Sequence, residues 1–100
     1  MYCIVYSEQA RVDIFCIKVY IKHKINNPNY ASKLSDNLKQ RIRSLKFSPE
    51  RFVEIDINGC QYRRMPVEKY NVYYSVDKEN ETVTIQRILY GGLDINQVAL

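Results

Sequence analysis

Tryptophan is absent from this 100-residue sequence, histidine occurs once and cysteine three times. Cys3, Cys16 and Cys60 are odd in number and irregularly spaced, with none of the paired spacings that zinc sites use, so no metal is expected and the thiols read as reduced and mostly buried. His23, the sole histidine, falls at the end of the first predicted helix, away from the predicted strands. Long hydrophobic runs are missing too. The longest in the first helix is Ile14-Phe15-Cys16-Ile17, far short of the roughly 20 residues a membrane span needs. Met1 is followed by neither the basic region nor the apolar region of a secretory signal. A cytoplasmic protein is expected, with no membrane partner and no cofactor.

What is present suits one domain over residues 1–100. Apolar residues make up 46% and charged residues 26%, ordinary for a globular protein, and a chain this long buries roughly 65% of its unfolded surface. Nine tyrosines read first as core residues with wetted hydroxyls and second as a surface that stacks bases. The net charge of +4 is unevenly placed. From Pro28 to Lys46, five basic residues (Lys33, Lys39, Arg41, Arg43, Lys46) face one acid, Asp36, and the remainder balances. Such a helix either approaches nucleic acid or an acidic protein through long-range attraction or is a solvated lysine-rich face.

Patterning gives an order of β, α, α, then strands. Tyr2 to Tyr6 is a short strand, apolar enough to be central in a sheet. Ser7 caps a helix running to about Lys24, whose Ala10, Ile14, Ile17 and Ile21 recur at helical spacing, with Phe15 and Val19 broadening the stripe. Asn27 caps and Pro28 opens a second helix to about Lys46, seamed by Ala31, Leu34, Leu38, Ile42 and Leu45. A short loop makes the two an antiparallel hairpin. Phe47 to Phe52 reads as a single turn capped by Ser48, opened by Pro49 and anchored by both phenylalanines. Val53 to Ile57 alternates as a strand and Asn58-Gly59 is a hairpin turn. Tyr62 to Val67, Tyr70 to Val76 and Thr82 to Leu89 are then antiparallel strands, with Tyr70, Val72, Tyr74 and Val76 on one buried face. Gly91-Gly92 reads as a positive-φ turn into a tail, Leu93 to Leu100, without a capped helical pattern. The fold class is α+β: an N-terminal strand, a two-helix hairpin, then a mostly antiparallel twisted sheet of three to four strands.

A basic-ended strand (YRRM), an aromatic-alternating strand (YNVYYSVD) and a last strand running into RILYGGLDI follow a first strand ending in YSEQA, an Asn-Pro helix start and a Phe-Ser-Pro-Glu-Arg segment. In that order the pieces resemble the RelE/ParE superfamily of bacterial toxins, the toxic halves of type II toxin-antitoxin pairs, over nearly the whole chain. The resemblance implies that the first strand lies at the sheet edge, parallel to the last. RelE-like members cut messenger RNA on the ribosome; ParE-like members poison DNA gyrase without hydrolysis. Both imply a hetero-oligomer with a cognate antitoxin, expected to be acidic and partly disordered when free.

RNA cleavage through the 2′-hydroxyl needs a base, cations for the phosphate charge and an acid for the departing oxygen. By resemblance the catalytic candidates are Arg64, Arg87 and Tyr90. Arg63 and Tyr73 are candidates for target or nucleic-acid contact, and Leu38, Lys39, Ile42, Arg43 and Leu45 for the antitoxin interface. The departures matter: Tyr90 stands before Gly91 where many relatives carry a histidine, and only Gly92 stands where a further arginine would follow. Glu54 or Asp56 is left as a displaced base. Arg63 and Arg64 point to opposite faces of their strand, and Arg87, in phase with Val83 and Ile85, is buried unless a bulge near Gln86 turns it out. Three readings follow, in order: a ParE-like poison acting by binding, a RelE-like ribosome-dependent endoribonuclease, and a non-toxic binding module.

Overall fold

The structure, a computed structural model, describes residues 1–98. Strand β1 (Cys3–Tyr6) leads into helix α1 (Glu8–Val19), which continues as a π-helical turn over Tyr20–Lys24. Helix α2 (Pro28–Arg43) ends in a 3₁₀ turn, Ser44–Lys46. Strands β2 (Glu54–Ile57), β3 (Cys60–Val67), β4 (Tyr70–Asp77) and β5 (Thr82–Tyr90) complete one five-stranded sheet in the order β1-β5-β4-β3-β2. All pairings are antiparallel except β1 with β5. The α+β class, the helical hairpin and the parallel edge pairing are as expected. An edge, not a central position, is where β1 lies, so its apolar content serves one face only. Among the described residues no helix is long and apolar enough to cross a membrane.

Local chemistry accounts for the boundaries. The Ser7 hydroxyl accepts from the Ala10 amide at 3.0 Å and the Asn27 side chain from Tyr30 at 3.1 Å, the two N-caps. Asn58 and Gly59 both take positive φ, 54° and 86°, as a two-residue hairpin turn requires. Asp77 accepts from the side chain and amide of Asn80, closing the β4–β5 loop, and those bonds hold its carboxyl below the ordinary value.

Both helices lie on one face of the sheet. Ala10 and Ile21, with Ala31, Leu34, Leu38, Ile42 and Leu45, pack on Met65, Val67, Val72, Tyr74, Val83, Ile85 and Ile88. The opposite face carries a smaller cluster of Ile57, Tyr73 and Leu89, covered in part by Ile95 and Val98. That cover corrects the reading of the tail: Asp94 caps a 3₁₀ turn, Ile95–Gln97, which seats it on the sheet. Ala99 and Leu100 lie outside the described residues.

Other expectations are corrected by what each side chain meets. Phe15 and Val19 are exposed, lining an open cleft beside the start of α2 instead of the core. Phe52 joins the core but Phe47 is 73% exposed, and residues 48–53 form irregular turns, not a capped helical turn. That segment is tied down from the sheet: the buried Tyr74 hydroxyl donates to the Pro49 carbonyl at 2.6 Å. All three cysteines are exposed. Gly91 and Gly92 do not have positive φ. Their need for glycine is close approach, since a Cβ on Gly92 would stand 2.8 Å from the Tyr90 ring and one on Gly91 3.2 Å from the Lys69 carbonyl.

Burial pushes the Tyr74 hydroxyl up to about 12. An unfolded tyrosine ionises near pH 10, so this stabilisation is complete below about pH 10 and is lost as pH rises through about 12. Tyr74→Phe should lower stability by about 1–2 kcal/mol at neutral pH by leaving the Pro49 carbonyl without its donor. Chemical denaturation at pH 7 and across pH 9–12 checks both points, the gap between the two proteins narrowing at the alkaline end.

Candidate functional site

The structure scatters the residues singled out by sequence. Between Tyr73 and Tyr74 the β4–β5 register slips by one, so Tyr73 faces Arg87, Tyr74 faces Ile85 and Gln86 is the extra residue. A bulge is therefore present where Arg87 needed one. The groups it frees are taken by the start of the chain. Ser7 donates its hydroxyl to the Gln86 carbonyl at 2.9 Å, and Asp13 of α1 accepts from the Ile88 amide at 2.9 Å.

The same Asp13 carboxylate takes Nε of Arg87 at 2.8 Å and Nη2 at 3.0 Å, a two-pronged pair with side chains only 16% and 10% exposed. Hydrogen bonding to Asp13 raises the Arg87 pKa further above its ordinary value. Arg87 is thus a fastening between α1 and β5. No sequence signal named Asp13, although an acid in phase with Ala10 and Ile17 on a buried helix face is an anomaly that calls for a cationic partner.

Arg63 is equally engaged. It donates to the carbonyls of Glu50 and Phe52 at 3.0 and 2.8 Å and pairs with Glu54 at 3.1 Å and Glu50 at 3.7 Å. Tyr73, at 3% exposure, lies under the outer-face cluster. Both are engaged within the fold, Arg63 at the turn before β2 and Tyr73 in the outer-face cluster. Arg64, by contrast, is exposed on β3, paired in register with Tyr73, and its guanidinium has no carboxylate or carbonyl partner among the described residues. Tyr90 sits on the other side of the sheet, its ring edge-on to Tyr70 with centroids 6.0 Å apart. Arg64 and Tyr90 therefore belong to opposite faces, and Arg87, in the same cross-strand row as Arg64 and Tyr73, is committed to Asp13. Glu54 is held by Arg63 and Asp56 accepts from the Gly59 amide and Gln61 side chain.

The interface proposed on α2 also divides. Leu38 and Leu45 are fully buried in the core, corrected from contact residues by the seam they form against the sheet. Ile42 is buried as well but floors a groove of about 550 Å³ between α2 and β1, walled by Tyr2, Ile4 and Tyr6. Lys39, Arg43 and Lys46 form its cationic side. Burial raises the Tyr6 hydroxyl while the Arg43 charge opposes that shift. Beyond the groove, β1 has a free edge among the described residues, where β5 is its single neighbour in the sheet. Among the described residues no three His, Cys, Asp or Glu side chains gather as metal ligands.

The sequence matches the family described as ParE toxin of type II toxin-antitoxin system, parDE, over residues 4–94. No curated protein sequence matches significantly. Among solved structures the fold is similar to the chromosomal ParDE toxin-antitoxin system from P. aeruginosa (TM-score 0.74, 17% identity, 90% of this chain and 96% of that one). It is similar also to the archaeal RelE-RelB complex from Pyrococcus horikoshii OT3 (0.65, 16% identity, 93% and 98%). A third neighbour is the toxin-antitoxin complex RelBE2 from Mycobacterium tuberculosis (0.61, 19% identity, 89% and 96%).

Removing the Asp13 carboxylate takes away the charged acceptor that Arg87 and the Ile88 amide share. Asp13→Asn should cost about 3 kcal/mol, and Asp13→Asn with Arg87→Gln less than the sum of the single changes, because the uncompensated charge is gone. Urea unfolding of the four proteins measures it.

Proposed function

The chain belongs to the ParE toxin family of type II toxin-antitoxin systems, and from that premise we propose that it arrests bacterial growth in the cytoplasm by binding an essential target, DNA gyrase, while a cognate acidic antitoxin neutralises it. The observation that carries a binding mode over nucleolysis is the dispersal of the groups cleavage needs. Arg87 is closed onto Asp13, Tyr90 lies on the helix side of the sheet, and Arg64 alone stands open on the outer face. Of the groups named for cleavage, Tyr90 is on the other face from a phosphate held by Arg64 and Arg87 is engaged by Asp13. Arg64 is instead suited to a carboxylate or phosphate on the target's surface.

The antitoxin reading is supported by the β1 edge and the groove beside it. A free strand edge offers amides and carbonyls to an added strand, and apolar residues of that strand fit over Ile4 and Ile42. Lys39, Arg43 and Lys46 favour an acidic partner and speed its encounter.

The test is induction of the gene in a bacterial host with and without its neighbouring gene, following supercoiling and messenger RNA in the same cells. Lost gyrase activity with intact messages is expected. Codon-linked message cutting with normal supercoiling would replace this reading by a RelE-like nuclease, and unimpaired growth at full soluble expression would leave a binding module. Arg64→Ala should abolish arrest at least tenfold in plating efficiency while changing stability by less than about 0.5 kcal/mol, as an exposed, unpaired side chain does.

A further inference from the structure

A second cleft, of about 610 Å³, lies where the π-helical turn meets the end of β5 and the β3–β4 turn. That volume falls within the roughly 300–1,000 Å³ of small-molecule sites. Buried Ile21 and Ile88 supply its aliphatic base, and the rings of Tyr20, Tyr70 and Tyr90 line it. The Ile25 amide donates to the Tyr20 carbonyl at 3.3 Å, the i to i+5 bond of a π turn, which keeps two exposed apolar side chains on one wall. Such turns are rare and recur at functional sites. The opposite wall is fixed by the Gly91 amide, which donates to the Lys69 carbonyl at 2.8 Å, and by Gly92, which leaves the Tyr90 ring the room a Cβ would take. Tyr70 and Tyr90 stand edge-on with centroids 6.0 Å apart, an aromatic corner that a third flat ring extends. Tyr20 and Tyr90 are 53% and 54% exposed, so both rings are reachable from solvent.

The polar groups select the occupant. Tyr30 also lines the cleft but gives its hydroxyl to Glu68 at 2.9 Å, whereas the hydroxyls of Tyr20, Tyr70 and Tyr90 have no protein partner among the described residues. Burial first, and then the neighbouring Tyr20 and Tyr90 hydroxyls and the Glu68 carboxylate, hold the Tyr70 hydroxyl above its ordinary value, so it stays protonated and able to donate. A hydroxyl both donates and accepts. A plain hydrocarbon in this cleft would strip water from three phenols and return nothing to them. Charge contributes little: Asp13 is closed onto Arg87, and Glu68, bonded to the neutral Tyr30 and Asn37 side chains, keeps its charge beside Lys69 and offsets it. The fitting ligand is therefore flat, aromatic, uncharged where it is held, and edged with donors and acceptors.

We propose that this cleft binds one unpaired nucleobase, of a free nucleotide or of a single strand, seated on Ile21 and Ile88 against the rings of Tyr20 and Tyr90 with its edge toward the phenol hydroxyls. A heteroaromatic base is flat, stacks on tyrosine and carries donors and acceptors along its rim. Bases within a duplex are stacked and paired, and do not reach such a cleft. The ribose and phosphate stay at the mouth, where Lys69 and Glu68 leave little net charge, so recognition rests on the base. This activity is separate from growth arrest and depends on neither the gyrase nor the antitoxin reading.

The test is titration calorimetry of the full chain with adenosine, AMP, single-stranded oligo(dA) and a duplex, on the wild type and on Tyr20→Ala, Tyr90→Ala, Tyr90→Phe and Lys33→Glu, with thermal melts confirming that each variant folds. Adenosine and AMP should bind once per chain with affinities within about threefold of each other and with little salt dependence, unlike contacts to phosphate. Each alanine variant should weaken binding about tenfold, the loss of one stacking partner, while Tyr90→Phe keeps the ring and loses only about threefold. Lys33→Glu, on the far side of α2's exposed surface from none of these groups' bonds, should bind as the wild type does. Oligo(dA) binding far more tightly than AMP assigns the base to a strand, and equal affinity per site assigns it to a free nucleotide. No binding of adenosine at millimolar concentration would overturn the proposal. So would binding that survives both alanine changes, or that falls with Lys33→Glu and with salt and is matched by the duplex, since that is attraction of a polyanion to the basic helices.

Discussion

One carboxylate ties helix α1 to the end of strand β5. Asp13, on the buried side of α1, accepts from Arg87 twice and from the Ile88 amide once, and so closes the edge of β5 beyond the reach of the four-residue β1. Without it the upper part of β5 would present unpaired backbone to a helix, which is costly in a buried setting. The bulge at Gln86 makes this arrangement possible, because it takes Arg87 out of the core phase of Val83 and Ile85 and sets it opposite Tyr73. Ser7 completes the corner by capping α1 and holding the bulge carbonyl in the same side chain.

That constraint shapes what the protein can do. An arginine spent on internal pairing is not available to a phosphate, and the same holds for Arg63 with its two carbonyls and two carboxylates. The exposed cations include Arg64 on the outer face, Arg51, Lys69 and Lys78 in turns, and those on the helical hairpin. Chemistry that requires several groups within hydrogen-bond reach of one atom is poorly served by such spacing, whereas recognition over a broad surface is well served. The groove between α2 and β1 has an apolar floor and a cationic side.

The sheet's two faces are unequal in a way that the tyrosines express. Tyr74, at the centre of the helix-side core, uses its hydroxyl to fix the irregular segment before β2. Tyr73, its neighbour, faces the other way and is covered by the tail. Tyr20 and Tyr90 remain in solvent. One residue type thus serves as core, cover and contact, and composition alone does not separate these uses.

By itself the sequence determined what local physics controls. Alternation placed Tyr70, Val72, Tyr74 and Val76 on one face, the three-and-four spacing seamed both helices, and Asn27, Pro28 and Asn58-Gly59 marked ends and a turn, since each of these depends on residues a few positions apart. It also carried the family through the order of its elements. Tertiary structure alone decided which charges are available, because Asp13 meets Arg87 across 74 residues of chain and Arg63 reaches back 13 to Glu50. It decided, too, that Leu38 and Leu45 are core and that Tyr90 and Arg64 stand on opposite faces. Pairing over such separations is set by strand order and by a single bulge, and no periodicity within a segment encodes either.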